Sequence, residues 1–416
     1  MPDIETVAAL LFGIAVVHTF SSKLFERLAH RHPRHAGLLH LLGEVEVVFG
    51  FWAVVLVVAM AAVVGGSQAI EYAETRQYVE PLFVVVIMVV AGSRPVVEMI
   101  KALVNAIARL APTRLIVAQV WLCLALVPLL GSLITEPAAM TLAALMLAPL
   151  VFRDGTPEWL KYGVIGVLFV NISIGGTLTS YAAPPVLMVA SAWGWDSAFM
   201  LCTFGWRSTA AVLINATVIT VLARKSLVDL QPEVNTPLAP RIPGFVTLVH
   251  LGFLAGVVAF AHHPVIFIGL LLLFMGFTQA YSDYQTPLIL KEASLVGFFL
   301  AGLVVLGGMQ QWWLQPIVSS LKPTALFFGA MGLTAITDNA ALTYLGSLIE
   351  GMSDQAKYML VAGAVAGGGL TVIANAPNPA GAALLKHGFK DQSIGAGGLL
   401  LGALPPTVVA ALLFLL

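Results

Sequence analysis

The sequence predicts an all-α polytopic membrane protein with two inverted repeats, each with a re-entrant hairpin and a broken transmembrane helix. The 416 residues are 59% hydrophobic and 10% charged, and the mean hydropathy is +0.95, whereas soluble domains are about 45–50% apolar. Apolar runs of about 20 residues, enough to cross a layer of about 30 Å, recur to the end and predict about 11 spans. Two phrases, "ITEPAAMT" (134–141) and "ITDNAALT" (336–343), place one acid each in an apolar segment.

The charge and cysteine content exclude several classes of function. The formal net charge of −1 argues against nucleic acid as a partner. Cys123 and Cys202 both lie in apolar runs, so neither a disulfide framework nor a thiolate metal site is expected. The start of the chain, "MPDIETVAALLFGIAVVHTF", has no basic region before its apolar stretch. We therefore expect a retained first helix and not a signal peptide.

The first repeat is predicted over residues 1–222. Its first loop, residues 21–37, carries four cations, Lys23, Arg27, Arg31 and Arg34. Cytoplasmic loops are rich in lysine and arginine, so this loop is expected in the cytoplasm and the N-terminus in the periplasm. Spans at about 38–64 and 80–92 follow. Apolar residues at helical spacing then predict a helix in the cytoplasmic interface, at 93–114.

Residues 114–151 are compatible with two structures, a full span plus a dipping segment or a re-entrant hairpin with "TEPA" at its tip. The next helix, 160–195, is interrupted by "SIGGTLTSYAAPP". Glycine pairs, threonine and proline in mid-span predict a broken helix, which is tolerated where the freed backbone groups face protein or a water-filled cavity. Residues 198–222 complete the repeat.

A proline-rich cytoplasmic linker at residues 223–243 and a second repeat at 244–416 complete the chain. The second hairpin is predicted at 322–351 and the second broken helix, interrupted by "GGGLTVIANAPNP", at 356–388. The first arm of this hairpin gives about 22 Å of helix, which is too short to cross, so a hairpin is the simpler interpretation of both segments. An odd number of crossings in each half inverts the second repeat and puts the C-terminus in the periplasm.

Inverted repeats with paired broken helices are typical of secondary transporters, which bind their substrates near the midplane between the repeats. Carbonyl and hydroxyl oxygens at helix breaks can replace the hydration shell of a small cation, and a carboxylate at each tip supplies the charge that Na⁺ or H⁺ needs. Aligning the phrases pairs Glu136 with Asp338, Thr135 with Thr337, and Thr179 with Thr371. The candidate ion- and proton-binding residues are Glu136, Asp338, Thr135, Thr337, Asn339, Asn171, Thr179, Ser180, Thr371, Asn375 and Asn378.

Glu44 and Glu46, early in the second span, are candidates for a proton relay. Residues at i and i+2 point to different faces of a helix, so at most one of them is expected to face a shared cavity. His40, one turn earlier, is a possible partner for Glu44. For Asp338, a role as the cap of the second hairpin arm is the main alternative to ion binding.

These motifs resemble the ion transporter superfamily over nearly the whole chain. "NISIGGTLTSYAAPP" is similar to its broken-helix signature, although Ser180 stands where a proline is usual, and "HLLGEVEVVFG" with the two tip phrases resembles its sodium/proton antiporter family. The resemblance implies a homodimer in which a hairpin-bearing domain moves against a scaffold, an elevator mechanism. Dicarboxylate carriers of the superfamily have Ser-Asn-Thr at their tips. Thr135-Glu136-Pro137 and Thr337-Asp338-Asn339 depart from this pattern and favour a cation.

We therefore expect a carrier, not an enzyme, that exchanges Na⁺ or Li⁺ for H⁺ across the bacterial inner membrane. Its partners would be small cations and the lipid bilayer, with no cofactor. The alternative is a carrier of the same fold that moves a dicarboxylate or an oxyanion with Na⁺ or protons. An intramembrane aspartyl protease is a third possibility, but its usual Tyr-Asp and Gly-x-Gly-Asp motifs are absent from the sequence.

Overall fold

The structure is a computed structural model that describes residues 4–229 and 241–416. The middle of the predicted linker lies outside the described residues. Within them the chain forms helices and no strand, which confirms the predicted all-α class. The helices before residue 230, of which the last lies within the predicted linker, are α1 Ile4–Thr19, α2 Ser22–Arg31, α3 Ala36–Gly43, α4 Val45–Val63, α5 Gly66–Glu74, α6 Val79–Ala91, α7 Arg94–Leu110, α8 Leu115–Leu124, α9 Leu126–Ile134, α10 Glu136–Val151, α11 Glu158–Gly175, α12 Pro184–Trp193, α13 Ser197–Met200, α14 Trp206–Leu222 and α15 Arg224–Asp229.

The helices after the linker are fewer. They are α16 Gly244–Ala259, α17 Pro264–Ala280, α18 Leu290–Gly307, α19 Gln311–Ser319, α20 Pro323–Thr334, α21 Asn339–Ser347, α22 Asp354–Gly367, α23 Asn378–Leu385 and α24 Ala396–Leu415. Six helical segments of the described chain are long and apolar enough to cross a membrane, or seven if α6 and α7, which meet at a bend of 63°, count as one span. The chain is thus an integral membrane protein, and the count of about 11 spans stays a prediction.

The predicted second span is interrupted. Residues 38–64 form α3 and α4, and Glu44 between them has an extended backbone. Glu44 is therefore at a helix break and not on a continuous helix with Glu46. This break is not visible in the sequence, because the apolar pattern continues through it.

The predicted broken helices are each interrupted within the expected segment. After Gly175 the chain makes a short 3₁₀ turn and an extended stretch until α12 begins at Pro184. After Gly367 it is irregular until α23 begins at Asn378, with Pro379 in the first turn. Proline suits this position because a first-turn N–H has no partner within the helix.

The helices pack in two groups. In one, α18 lies against α1, α4 and α6, and α16 and α17 also contact α6. In the other, α11 packs on α24 and α14, and α20 packs on α22. Within this second group the halves of the chain are interleaved, because α10 lies against α23 and α21 lies against α12. Each candidate tip is therefore held against the broken helix of the other half.

Candidate functional site

The first tip holds a fully buried carboxylate. Glu136 is the first residue of α10, and Thr135 before it has a positive φ of 78°. The Glu136 N–H donates to the Ala182 carbonyl across the first helix break at 3.4 Å. Its Oε2 accepts a hydrogen bond from Asn375 Nδ2 at 2.8 Å, whereas its Oε1 and the Thr135 hydroxyl have no partner. The tip thus presents one half-satisfied carboxylate to the interior.

A glycine in the first break makes room for this carboxylate. A Cβ atom at Gly176 would lie 2.5 Å from Glu136 Oε1, closer than van der Waals contact allows. Any larger residue would push the carboxylate away from its present position. The Gly-Gly pair at 175–176 therefore has a packing reason specific to the acid.

The second tip combines a helix cap with a cavity. Asp338 precedes α21, and its Oδ1 accepts hydrogen bonds from the backbone N–H groups of Ala340 at 2.7 Å and Ala341 at 3.3 Å. The side chain also lines a cavity of about 20 Å³ together with Glu46 and Asn375, which is room for about one water molecule. The capping alternative is therefore correct, and it does not exclude ion binding because Asp338 also faces the cavity.

Asn375 connects the two acids. Its amide donates to Glu136, and the same side chain lines the cavity of Asp338. The carboxylates of Glu136 and Asp338 are close enough to interact electrostatically. Two acids from different halves of the chain thus meet at one place, beside the second helix break.

The contacts of the two tips correspond, but one residue later than the aligned phrases suggest. Glu136 N–H donates to Ala182 O, and the matching bond in the second half runs from Asn339 N–H to Ala374 O at 3.1 Å. Gly176 faces Glu136, and Gly368 faces the Asn339 side chain, 2.9 Å from an added Cβ to Nδ2. By position, Glu136 therefore corresponds to Asn339, whereas the aligned phrases pair it with Asp338.

Several buried oxygens around the tips accept no hydrogen bond. Each unpaired buried acceptor costs about 1–3 kcal/mol, and a cation would satisfy several at once. Their neighbouring amide nitrogens are occupied: Asn378 Nδ2 donates to the Gly368 and Thr371 carbonyls, and Asn339 Nδ2 donates to Ser173 Oγ. The unpaired oxygens are Thr135 Oγ1, Glu136 Oε1, Asn339 Oδ1, Asn375 Oδ1 and Asn378 Oδ1.

The structure separates the two candidate relay residues. Glu46 lines the Asp338 cavity and lies close enough to Asp338 for electrostatic interaction. Glu44 instead forms a salt bridge with Lys291, whose Nζ lies 3.2 Å from Glu44 Oε1. Lys291, and not His40, is therefore the partner that the structure gives Glu44, and Glu46 is the acid that faces Asp338.

Other candidate residues hold the scaffold around the tips. Asn171 bonds three protein groups with its amide, donating to the Leu124 and Val212 carbonyls and accepting from Asn215. These contacts describe a structural role, and because the amide oxygen keeps a second lone pair, the role of Asn171 as an ion ligand stays a prediction. Ser180 contacts Ser197 at 3.2 Å and lines a separate, larger cavity and not the cavity of Asp338.

The remaining three threonines donate to backbone carbonyls. Thr179 Oγ1 bonds Ser132 O at 2.7 Å, and Thr371 Oγ1 bonds Ala335 O at 2.9 Å. These are again corresponding contacts, each from a helix break to the end of a first hairpin arm. Thr337 Oγ1 bonds Leu333 O within its own segment, and Thr337 lines a second small cavity beside Asp338.

A family model described as "Putative Na+/H+ antiporter" matches residues 3–416 of the chain. The chain belongs to this antiporter family. Among solved structures, the Alcanivorax borkumensis YdaH transporter, whose crystal structure is titled as revealing an unusual topology, is similar with a TM-score of 0.44 and 14% identity. The similarity covers 89% of this chain and 95% of that one. No curated protein matches the sequence.

In this member of the antiporter family, two serines that were not predicted from the sequence lie at the site. Ser132 Oγ donates to Gly175 O and accepts from Leu178 N–H, which fixes the first tip to the first break. Ser173 Oγ donates to Val365 O and accepts from Asn339, which joins the first broken helix to the second tip. Ser132 lies four residues before Glu136, and Ser173 lies two residues before the Gly175–Gly176 pair. Proximity to the motifs is the signal that could have identified them.

Proposed function

We propose that this protein exchanges Na⁺ or Li⁺ for H⁺ by alternating access, with Glu136 and Asp338 as the groups that hold the cation or the proton. The observation that carries the proposal is the environment of Glu136. Its carboxylate is fully buried, receives one hydrogen bond, and has Oε1 without a donor. An ionised carboxylate in such a place is unfavourable by several kcal/mol unless a positive charge neutralises it.

Only two kinds of ligand meet that need within a small space, a proton or a small cation. Because both would bind the same carboxylate oxygen, binding of one excludes the other. Each change of access then moves one cation in one direction or one or more protons in the other. Competition at one site couples the two fluxes without a further device.

The proposed cation ligands follow from the unpaired oxygens. They are carboxylate, amide and hydroxyl oxygens, the hard donors that alkali ions prefer. We propose Glu136, Asp338, Thr135, Asn339, Asn375 and Asn378 as the set that contacts the ion, with Thr179 and Thr371 as positioning residues. Glu46 is proposed to pass protons to Asp338. Asn171 is outside this set because its amide bonds three protein groups, and Ser180 is outside it because it lines the separate cavity.

The proposed setting is the bacterial inner membrane, with both termini periplasmic and the protein acting as a homodimer carrier without enzymatic activity. The basic loop at residues 21–37 supports this orientation. An elevator movement would be carried by the helices that include both tips, against the group around α18. The packing of the described helices into two groups supports such a division.

Proton flux in proteoliposomes tests the proposal. Addition of Na⁺ or Li⁺ to vesicles with purified protein and an internal pH dye should move protons without any organic anion, and Glu136→Gln or Asp338→Asn should abolish the signal. The apparent Na⁺ affinity should weaken as the pH falls, approaching tenfold per pH unit once protons occupy the carboxylate. Flux that requires a dicarboxylate, or that survives in well-folded Glu136→Gln protein at matched density, would refute the proposal.

A further inference from the structure

A large cavity with polar groups in its lining is not lined by Glu136 or Asp338. Its volume is about 570 Å³, and it is lined by residues of α6, α12, the loop before α13, α16 and the turn after α16. A water molecule occupies about 30 Å³, so a cation with its first hydration shell fits inside. The cavity is too large to be a site for a bare ion, and its position suggests a different task.

The charged and titratable side chains around this cavity favour positive ions. Glu80, Asp196 and His262 line it, together with the hydroxyl groups of Ser191, Ser197 and Tyr181. Among the described residues, no lysine or arginine lines it. His262 lies close to the Glu80 carboxylate, and even with a positive charge on its imidazole the two carboxylates leave a net negative charge around the cavity. Two carboxylates in a walled space with low dielectric raise the local concentration of cations.

Part of the wall of the cavity belongs to the first helix break. Ser180 and Tyr181 line it, and they stand between two contacts with the first tip. On one side Thr179 donates to the Ser132 carbonyl at 2.7 Å. On the other side Ala182 accepts from the Glu136 N–H at 3.4 Å. The cavity therefore borders the part of the first break that contacts the first tip.

All three titratable side chains come from segments predicted on the same membrane side. Glu80 lies in the first turn of α6, after a loop that is predicted outside. Asp196 precedes residues 198–222, which are predicted to run inward. His262 follows the span at about 244–261, which is predicted to run outward. Three separate segments of the chain thus converge where the predicted topology puts the periplasm. The cavity of Asp338 is lined by Glu46, which was predicted near the cytoplasmic end of its span.

We propose that this cavity is the outer vestibule of the transporter, which collects hydrated cations through Glu80 and Asp196 and delivers them to the first tip. The proposal rests on the proposed cation exchange and adds its outer route. Glu80 and Asp196 set the rate of cation entry from the periplasm and do not hold the ion during transport. Ser180, whose hydroxyl contacts Ser197, forms the gate between the vestibule and the Glu136 site.

Charged thiol reagents test the vestibule without any transport measurement. In a Cys202→Ser background, since Cys202 is exposed and Cys123 buried, Ser191→Cys reports from α12 and Ala261→Cys from the turn after α16. A cationic methanethiosulfonate should react faster than an anionic one at low ionic strength. Glu80→Gln or Asp196→Asn should each lower this ratio about threefold to fivefold, the effect of one charge about 8 Å away in water. High salt should remove the difference.

Glu74→Gln is the matched control, because Glu74 is exposed on α5 outside the cavity. It should leave the reagent ratio unchanged. Equal rates for the two reagents in the parent, at both reporter positions, would overturn the proposal. So would Glu80→Gln and Asp196→Asn ratios that match that of Glu74→Gln.

A transport measurement then separates this proposal from the function on which it rests. Glu80→Gln with Asp196→Asn should raise the apparent KM for external Na⁺ about tenfold and leave the maximal rate unchanged. If the reagent ratios change as expected but the parent shows no cation-dependent proton flux, the vestibule stands and cation/proton exchange fails. If flux is present and the external KM of the double variant equals that of the parent, the delivery role is refuted.

Discussion

Gly176 is a position where a single methyl group should disturb the ion site. Its missing side chain lets Glu136 Oε1 approach, so Gly176→Ala would displace the carboxylate. We expect at least about a tenfold loss of apparent Na⁺ affinity, equivalent to about 1.4 kcal/mol, measured as the Na⁺ dependence of proton flux. Gly329→Ala is the control, because a Cβ there meets nothing within 4 Å. Equal effects of the two substitutions would contradict the role given to Gly176.

Asp338 has two roles that different substitutions should separate. Serine is as good an N-cap as aspartate but has no charge. Asp338→Ser should therefore keep thermal stability near that of the parent and lose exchange. Asp338→Ala should lose exchange and also about 1 kcal/mol of stability. Both are measured by thermal unfolding in detergent together with proton flux, and retention of exchange in Asp338→Ser would leave Asp338 as a cap only.

Glu46 and Glu44 form a natural pair of test and control. Glu46 shares a cavity with Asp338, whereas Glu44 is bound to Lys291 at a helix break. Glu46→Gln should slow proton exchange at least about tenfold, since a relay needs a group that titrates. Glu44→Gln removes one partly exposed ion pair, worth at most about 1 kcal/mol of stability, and should leave the rate within about twofold. The reverse order of effects would assign the relay to Glu44.

The two acids of the candidate site were visible in the sequence, whereas their arrangement was not. Glu136 and Asp338 stood out because an acid in an apolar segment is costly, and that cost is visible in one sequence. The choice between Glu44 and Glu46 was not visible, because it depends on a helix break at Glu44 and on the distant Lys291. The hydrogen bonds of Asn171 to two backbone carbonyls were also not visible in the sequence, because a buried amide near a break can bond the backbone as readily as an ion.

At the scale of helices, capping decides how the two halves correspond. Asp338 bonds the N–H groups of Ala340 and Ala341, so α21 begins one residue after the acid. Thr135 makes no such bond, and α10 begins at the acid itself. The two phrases align without a gap, yet the two helices start at different positions of the alignment. Sequence alignment alone could not reveal this shift, since it follows from the local hydrogen bonds of each tip.

Thr179 and Thr371 each donate a hydrogen bond to the end of a hairpin arm, and these two contacts, here called the clasps, can be tested. Carbonyls in the last turn of a helix have no partner in the helix, and Thr179 and Thr371 bond to those of Ser132 and Ala335. Thr179→Val or Thr371→Val should each cost about 1 kcal/mol of stability and weaken apparent Na⁺ affinity.

Thr220→Val is the matched control for the clasps. Its hydroxyl bonds a carbonyl within its own helix, α14, so the loss in stability should be smaller and Na⁺ affinity should not change. Thermal unfolding and the Na⁺ dependence of flux measure both effects. Unchanged Na⁺ affinity in both clasp variants would show that the clasps hold the arms without ordering the ion site.

For the whole molecule, the interleaved packing of the two halves is what puts two distant phrases at one site. Helix α10, the second arm of the first hairpin, lies on α23, and α21, the second arm of the second hairpin, lies on α12. Composition predicted a membrane protein, and the repeated motifs predicted that the tips meet. The way in which the halves interlock was beyond the sequence, because it depends on the packing of breaks and tips from opposite ends of the chain.

The orientation of the molecule in the membrane follows from its loops and is open to direct test. Lysine and arginine are frequent in cytoplasmic loops because positively charged loops are retained on that side, and they concentrate at residues 21–37 and at the start of the linker. Single cysteines at Ser22 and Ser226, in a Cys202→Ser background, should therefore react with a membrane-impermeant maleimide only after the cells are opened. A cysteine at Thr75, on the predicted outer side, should react in intact cells.

The vestibule requires the same result, because Glu80 lies close to Thr75 in the chain, and its cations must come from the side that labels Thr75→Cys. Labelling of Ser226→Cys in intact cells would invert the topology and with it the direction of the proposed entry route.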